Sequence, residues 1–387
     1  MRALALLMAI AAATPAFAQQ EAGQDAGSAI VVTGKSLSDT EKQLKDCLAR
    51  HCPPMEDMEA SMGHAENQLL AGDYLGSRDT LAAAHDRNVS HAKEFPLEFS
   101  DLERAFGRVT DLNGKPESGK LHQIVSFETL KQGFGDADSR ALMQQLATGD
   151  AFAQGGRIRA ATDIYREVAK RARAEGKPQL AGIAMFREAV LYTSISTVDF
   201  TYRDTARDAI RAILKTREPE LEETRVAAGV LQARLAKERG DDAAMEREIA
   251  KLAGKGFKTP VLVYDEPLYR DPPPVGRFKR DLQSNPEWVD IRFRIDASGH
   301  VRDVEQIRQS PELTIAWADR IREVIGRRRY VPLDLPPGSE GLTRIERYTM
   351  VFDMAGVVTG THMPTRKATP RFTSLDITPE PPAGSSD

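Results

Sequence analysis

The sequence predicts a multidomain chain that is mainly α: an irregular solenoid of helical repeats followed by a small α+β module in strand, strand, helix, strand (ββαβ) order. Three observations point there. Apolar residues recur at three- and four-residue spacing almost throughout 55–255, glycine-centred turns interrupt that pattern at a near-constant interval, and strict alternation appears only after a proline-rich stretch ending at Pro286. The 387 residues allow more than one domain, and 41% hydrophobic with 28% charged residues suffices for a sizeable core. A net charge of -4 argues against a polyanionic partner, so no nucleic acid is expected.

The first element is a leader. Arg2, an apolar run from Ala3 to Ala13, and Ala16 and Ala18 flanking Phe17 make up a secretory signal peptide over 1–18, with cleavage between Ala18 and Gln19. Its apolar run is shorter than the roughly 20 residues a spanning helix needs. Export follows as the expectation, and retention of this helix as an inner-membrane anchor is the alternative.

The segment 19–54 contains Ile30, Val31, Val32, Thr33 and Gly34, a strong strand former with no neighbouring strand to pair with. It also holds both cysteines, Cys47 and Cys52, which in an oxidising compartment are expected to form a disulfide ahead of Pro53 and Pro54. A metal site recruiting His51 and His64 would need a spacing unlike the usual zinc patterns.

Over 55–255 the turns are the informative part. Gly72-Asp73-Tyr74, Gly114, Gly155-Gly156 and Gly240-Asp241 fall at intervals of 42 and 41 residues and then 84, so a further turn is expected near 198. The stripe Ile158, Ala161, Ile164, Tyr165 and Val168 reads as core. The stretches "NQLLAGDYLGSRDTLAAA" and "GDAFAQGGRIRAATDIYREVAKRA" are similar to tetratricopeptide-like units, although their period exceeds the usual 34 residues of that family. The resemblance implies stacked helical hairpins that bind polypeptide.

Residues 256–286 carry Pro260, Pro267, Pro272, Pro273, Pro274 and Pro286, and read as a semi-rigid linker. The module at 287–355 then opens with Val289, Ile291, Phe293 and Ile295 alternating against Asp290, Arg292, Arg294 and Asp296. Gly299 supplies a hairpin turn, and the uneven spacing of Val301, Val304 and Ile307 predicts a bulge. Ser310 and Pro311 are expected to start a helix whose stripe is Leu313, Trp317, Ile321, Val324 and Ile325, with Arg327, Arg328 and Arg329 at its C-terminal end. Tyr348, Met350 and Phe352 alternate in the last strand, and 356–387 reads as a proline-rich flexible tail.

The order of these elements, with "DASGHV" in the hairpin and "RRRYVP" closing the helix, resembles the C-terminal domain of TonB-type proteins. That resemblance implies β-strand capture from a partner such as an outer-membrane transporter or another TonB-type protein. Carried over by position, the partner-strand edge is Arg344, Ile345, Arg347, Thr349 and Val351, with Thr349 and Val351 facing away from the core. The same resemblance makes Ile30 to Gly34 look like the short transporter segment that such a domain captures.

No H-E-x-x-H, G-x-S-x-G or phosphate-cradling glycine loop occurs, and the seven histidines are scattered. No catalytic, cofactor or metal residue is therefore expected. The sequence reads as a non-enzymatic interaction or scaffold protein of the Gram-negative periplasm, touching membrane only through its partners. The alternative is an energy transducer for outer-membrane transport with its N-terminal helix retained.

Overall fold

The computed structural model describes residues 35–266, 285–311, 313, 315–358 and 364–379. The signal peptide, the Ile30–Gly34 segment and residues 267–284 of the proline-rich 256–286 stretch lie outside these residues.

Eleven helices come first: α1 (Leu37–Ala49), α2 (Pro54–Ala71), α3 (Tyr74–Asn88), α4 (Pro96–Leu112), α5 (Pro116–Phe134), α6 (Ser139–Gln154), α7 (Ile158–Ala174), α8 (Pro178–Ser196), α9 (Arg203–Leu214), α10 (Glu222–Glu238) and α11 (Asp242–Ala250). Each packs on its neighbour in the chain, and α10 also returns to α8. The turns fall where the glycine spacing predicts, including the one near 198, where α8 stops at Ser196 and a 3₁₀ turn at Phe200–Tyr202 leads into α9. Proline at the first helical position starts α2, α4, α5 and α8, where the missing N–H costs nothing. Asp73 and Asp241 accept from Gly76 N and Ala244 N at 2.9 and 2.8 Å, so these turn carboxylates cap the second helix of a pair.

Cys47 and Cys52 are bonded to each other, joining the last turn of α1 to the loop before α2. Closing so short a loop should stabilise by about 2 kcal/mol on the chain-entropy model, so reduction is expected to lower the melting temperature while leaving α2 to α11 folded. A melting curve with and without reductant checks this.

The C-terminal part comprises β1 (Leu262–Tyr264), β2 (Glu287–Ile295), β3 (Val301–Gln309), α12 (Ile315–Gly326), β4 (Arg329–Tyr330), β5 (Leu342–Val358) and β6 (Pro364–Asp376). Its main sheet is antiparallel with order β3-β2-β5-β6, and β1 pairs with β4 beside it. Gly299 turns the first hairpin at φ 85°, and β3 is irregular at two places with Asp303 at φ 54°, as the uneven valine spacing suggests.

Four expectations need correction. The stretch after 256 is not simply a linker: Phe257 is buried in the C-terminal core and 262–264 form a strand. Ser310 does not cap the helix, which begins at Ile315; its N–H donates to the Trp288 carbonyl and its hydroxyl accepts from Trp288 N, closing the β2–β3 hairpin. The arginines after α12 do more than complement a helix dipole, because Arg328 and Arg329 are buried in specific ion pairs described below. The tail is not simply flexible: within it 364–376 form β6 and Ile377 is buried.

One face of the sheet is covered by the chain's own helices, and so is part of the other. Val289, Ile291, Phe293, Ile295, Tyr348 and Met350 form one core with α12 and with Val230, Met245 and Ile249 of α10 and α11. Trp288 and Val351 point the other way, into a core made by Met58, Leu69, Tyr74, Leu102 and Leu112 of α2 to α4. The sheet therefore sits between the first and the last hairpins of the helical array. On the face opposite the alternating apolar residues, Trp288, Asp290, Arg347 and Thr349 are accordingly buried, whereas Arg292 and its partner Glu305 are solvated as the alternation predicts.

Candidate functional site

The five residues expected to form a partner-strand edge lie in an interior strand. β5 pairs with β2 on one side (Arg347 opposite Asp290, Thr349 opposite Trp288) and with β6 on the other (Arg347 opposite Leu375, Thr349 opposite Thr373, Val351 opposite Arg371). Arg344 faces Phe293 and Ile345 faces Arg292 in β2, and Ile345 is closed on its other side by Thr378 Oγ1, which accepts from Ile345 N at 2.9 Å, and by Ile377 N, which donates to Ile345 O. The chain's own tail thus occupies the edge assigned to a partner. Its prolines concealed it as a strand, yet proline is tolerated in an outermost strand when the missing N–H faces outward.

Thr349 and Val351 do point away from the first core, but toward a second one. Tyr74 and Thr349 share a hydrogen bond of 2.7 Å between hydroxyls, and burial pushes the Tyr74 phenol up from its ordinary value. Arg347 and Asp290 are both wholly buried side chains. The guanidinium donates to both carboxylate oxygens at 2.7 and 2.9 Å, and to the carbonyls of Leu69 and Leu70 at 2.6 and 2.9 Å, which close the C-terminal turn of α2. It also lies over the Trp288 ring at 3.8 Å. All three guanidinium nitrogens donate, which is the condition under which a buried cation is tolerated.

A second clamp holds β6. Arg371 donates to Asp353 across the β5–β6 pair and to Asp111 at the end of α4 at 2.9 Å, so one side chain ties the tail strand to both sheet and array. Burial, with Asp353 nearby, holds the Asp111 carboxyl above its ordinary range against the pull of Arg371. At the other end of β6, Arg344 pairs with Asp376.

A cleft of about 520 Å³ opens where α10 and α11 meet β1, β3 and the end of α12, lined among others by Lys237, His300, Arg302, Arg327, Arg328 and Arg329. Each of the five long cations already has an acid: Lys237 pairs Asp242, Arg302 pairs Asp296, Arg327 pairs Glu266, Arg328 pairs Asp265 and Glu346, and Arg329 pairs Glu246. Burial opposes ionisation of Glu346, but Arg328 and Arg344 hold it below the usual carboxylate range. The cleft's charge is balanced from within and leaves no built anion site.

The histidines are less scattered than they look. Glu103 of α4, fully buried, accepts from His85 Nδ1 of α3 at 2.5 Å and from His122 Nδ1 of α5 at 2.9 Å. His122 lies against the Phe106 ring at 4.0 Å. Sequence reading missed this because the three residues come from three helices; the only available signal was a glutamate on the apolar stripe of α4. His64 is buried on α2 beside Thr40, and burial lowers its pKa. Among the described residues no group of histidine, cysteine or acidic side chains is placed to hold a metal ion.

Glu66 on α2 has Oε1 buried without a hydrogen-bond partner, and burial raises its pKa to about 7 despite Arg108. The folded chain therefore holds this proton more tightly than the unfolded chain, whose carboxyl titrates near 4.5. Stability from this group is full below pH 4.5 and falls as pH rises to about 7. Glu66→Gln is expected to raise the melting temperature at pH 8 and leave it unchanged at pH 4.5, read from melting curves of both proteins across that range.

Among the described residues no helix is long and apolar enough to cross a membrane. No family model and no curated protein matches the chain. Among solved structures it is similar to BtubC (BKLC) from P. vanneervenii, with a TM-score of 0.41 and 15% identity, covering 56% of this chain and 88% of that one. So slight a likeness carries no weight for fold or function.

Proposed function

We propose that the chain is an exported, non-enzymatic interaction protein of the cell envelope, periplasmic once its signal is cleaved, whose tetratricopeptide-like array binds polypeptide partners and whose TonB-like sheet holds the ends of that array together. The observation that carries this reading is the internal use of the sheet and the cleft. One sheet face and the Trp288–Arg347 end of the other are buried on the chain's own helices, and the cations of the cleft are paired within the molecule. Helix surface stays open to a partner, and large apolar side chains are exposed on it. Leu121 and Val125, one turn apart on α5, are 62% and 40% exposed, a spacing that suits a polypeptide ligand.

Capture from envelope extract tests the reading. The mature protein should retain a defined set of proteins that is lost when Leu121→Asp and Val125→Asp are combined, with an unchanged melting temperature as the control for folding. An unchanged captured set removes α5 as the binding surface. Intact-mass measurement of the exported protein should show a chain beginning at Gln19; a chain beginning at Met1 would favour the anchored transducer instead.

A further inference from the structure

The apolar cores fall into two bodies. Those of α6 to α8, of α8 to α10 and beneath the sheet run into one another, because Met185 and Tyr202 border the first two and α10 gives Leu231 to the second and Val230 to the third. The core of α2 to α4 stands apart from the other helical cores and takes only Trp288, Val351 and Leu375 from the sheet. Between the bodies lies α5. Among the described residues it joins none of these cores, and its buried residues are Gly119, Lys120, Ser126, Thr129 and Leu130.

Its fit to α4 is close. The Ser100 and Ser126 hydroxyls share a bond of 2.7 Å, Glu103 accepts from His122, and a Cβ on Gly119 would lie 2.7 Å from the Gly107 carbonyl oxygen. Toward α6 the buried side chains Gln144 and Thr148 make hydrogen bonds instead: Gln144 Nε2 donates to the backbone and side-chain oxygens of Gln123 at 3.2 and 3.0 Å, and Thr148 Oγ1 to the same backbone oxygen at 3.4 Å. The loop between α5 and α6 turns at Gly135, φ 93°, and beyond it Arg171 and Lys177 hold the Asp136 and Ala137 carbonyls to the second body. The sheet meets α2 to α4 through a seam of the same kind, with Arg347 on the Leu69 and Leu70 carbonyls, Tyr74 on Thr349 and Arg371 on Asp111. Such bonds are exchanged for bonds to water when a seam parts, whereas the core under the other sheet face has no such compensation.

We propose that α1 to α5 swing as one unit about the α5–α6 seam, and that the sheet face carrying Trp288, Arg347 and Thr349 is a latch that closes on α2 to α4 and releases them. Opening parts two faces and leaves the β-ladders whole, because β2, β5 and β6 stay paired on the second body. The charges are provided for in both forms. Arg347 keeps Asp290 and Arg371 keeps Asp353 within the sheet, so release strands neither guanidinium. The closed form hides an indole, a guanidinium and a hydroxyl that the open form presents. A hinge at one seam and a latch at another is a common way to switch such a surface, and the weaker-cored seams are where sub-global opening occurs. The device does not depend on export or on the identity of a partner.

The test uses the full mature chain and alkylation by iodoacetamide in native buffer. Thr349→Cys and Val351→Cys probe the latch face, Val289→Cys and Ile291→Cys the opposite face, and all four positions are 2% exposed or less. Cys47 and Cys52 are bonded to each other and stay silent. The latch cysteines should react about 100-fold or more faster than the core cysteines, since latch opening needs less free energy than global unfolding. Gln144→Ala removes bonds made only in the closed form. It should speed the latch cysteines about fivefold and leave the core cysteines unchanged. Two probes on each face preserve the comparison if one variant fails to fold. Equal rates on both faces would mean that only global unfolding exposes them, and latch rates indifferent to Gln144→Ala would mean that the molecule does not bend at the α5–α6 seam; either result overturns the proposal.

Discussion

Replacing Arg347 by alanine should lower stability by about 3–5 kcal/mol, because it takes the buried bidentate partner from a wholly buried carboxylate and a donor from two helix-end carbonyls at once. Asp290 would keep only Arg308, whose side chain is half exposed and holds it at 2.8 Å. The Leu70 carbonyl would lose its guanidinium donor, the Leu69 carbonyl would keep only Gly72 N, and Trp288 would lose its stacked cation. Arg308→Ala provides the contrast: an exposed partner of the same carboxylate should cost about 1 kcal/mol or less. Denaturant unfolding of both variants, with the slope compared to confirm two-state behaviour, gives the difference. A loss below 1 kcal/mol for Arg347→Ala would mean that the sheet is not docked on α2.

Truncation after Met363 is expected to have the second large effect. It removes Arg371 from Asp111 and Asp353, removes the buried Ile377, and uncovers the β5 side now paired from Glu346 onward. Loss of the clamp alone should cost roughly 3 kcal/mol, since Asp111 sits in a site that already penalises its charge. The bared strand would also present a continuous row of N–H and C=O groups, so the truncated protein should aggregate or pair with added extended peptides that the intact chain ignores. Light scattering and peptide binding at matched concentration measure this. A truncated chain that stays monomeric, equally stable and indifferent to peptide would show that β6 does not fill the edge.

Much of this fold was legible in sequence, and the parts that were not share a cause. The helical hairpins follow from local signals: glycine at turns, aspartate at Asp73 and Asp241, and prolines at helix starts. The core face of β2 follows from alternation. The failures concern what lies against an element. Nothing near Asp290 announces that α2 will cover it, because its partner Arg347 is 57 residues away and the helix carbonyls that Arg347 binds are 278 and 277 away. Glu103 with its two histidines is hidden for the same reason. The tail was misread by composition, since Pro364 and Pro370 suggest flexibility unless the strand is outermost.

The sheet edge suited to a partner strand is filled by the chain's own C-terminal strand. Residue-resolved hydrogen exchange across Glu346–Val351 in the intact mature protein reads this out. An interior strand uses its N–H groups on both sides, so consecutive amides from Glu346 to Val351 should be protected to the level of those in β2. An edge strand protects only every second amide; that alternation over 346–351 would contradict the account and return the edge to an external partner.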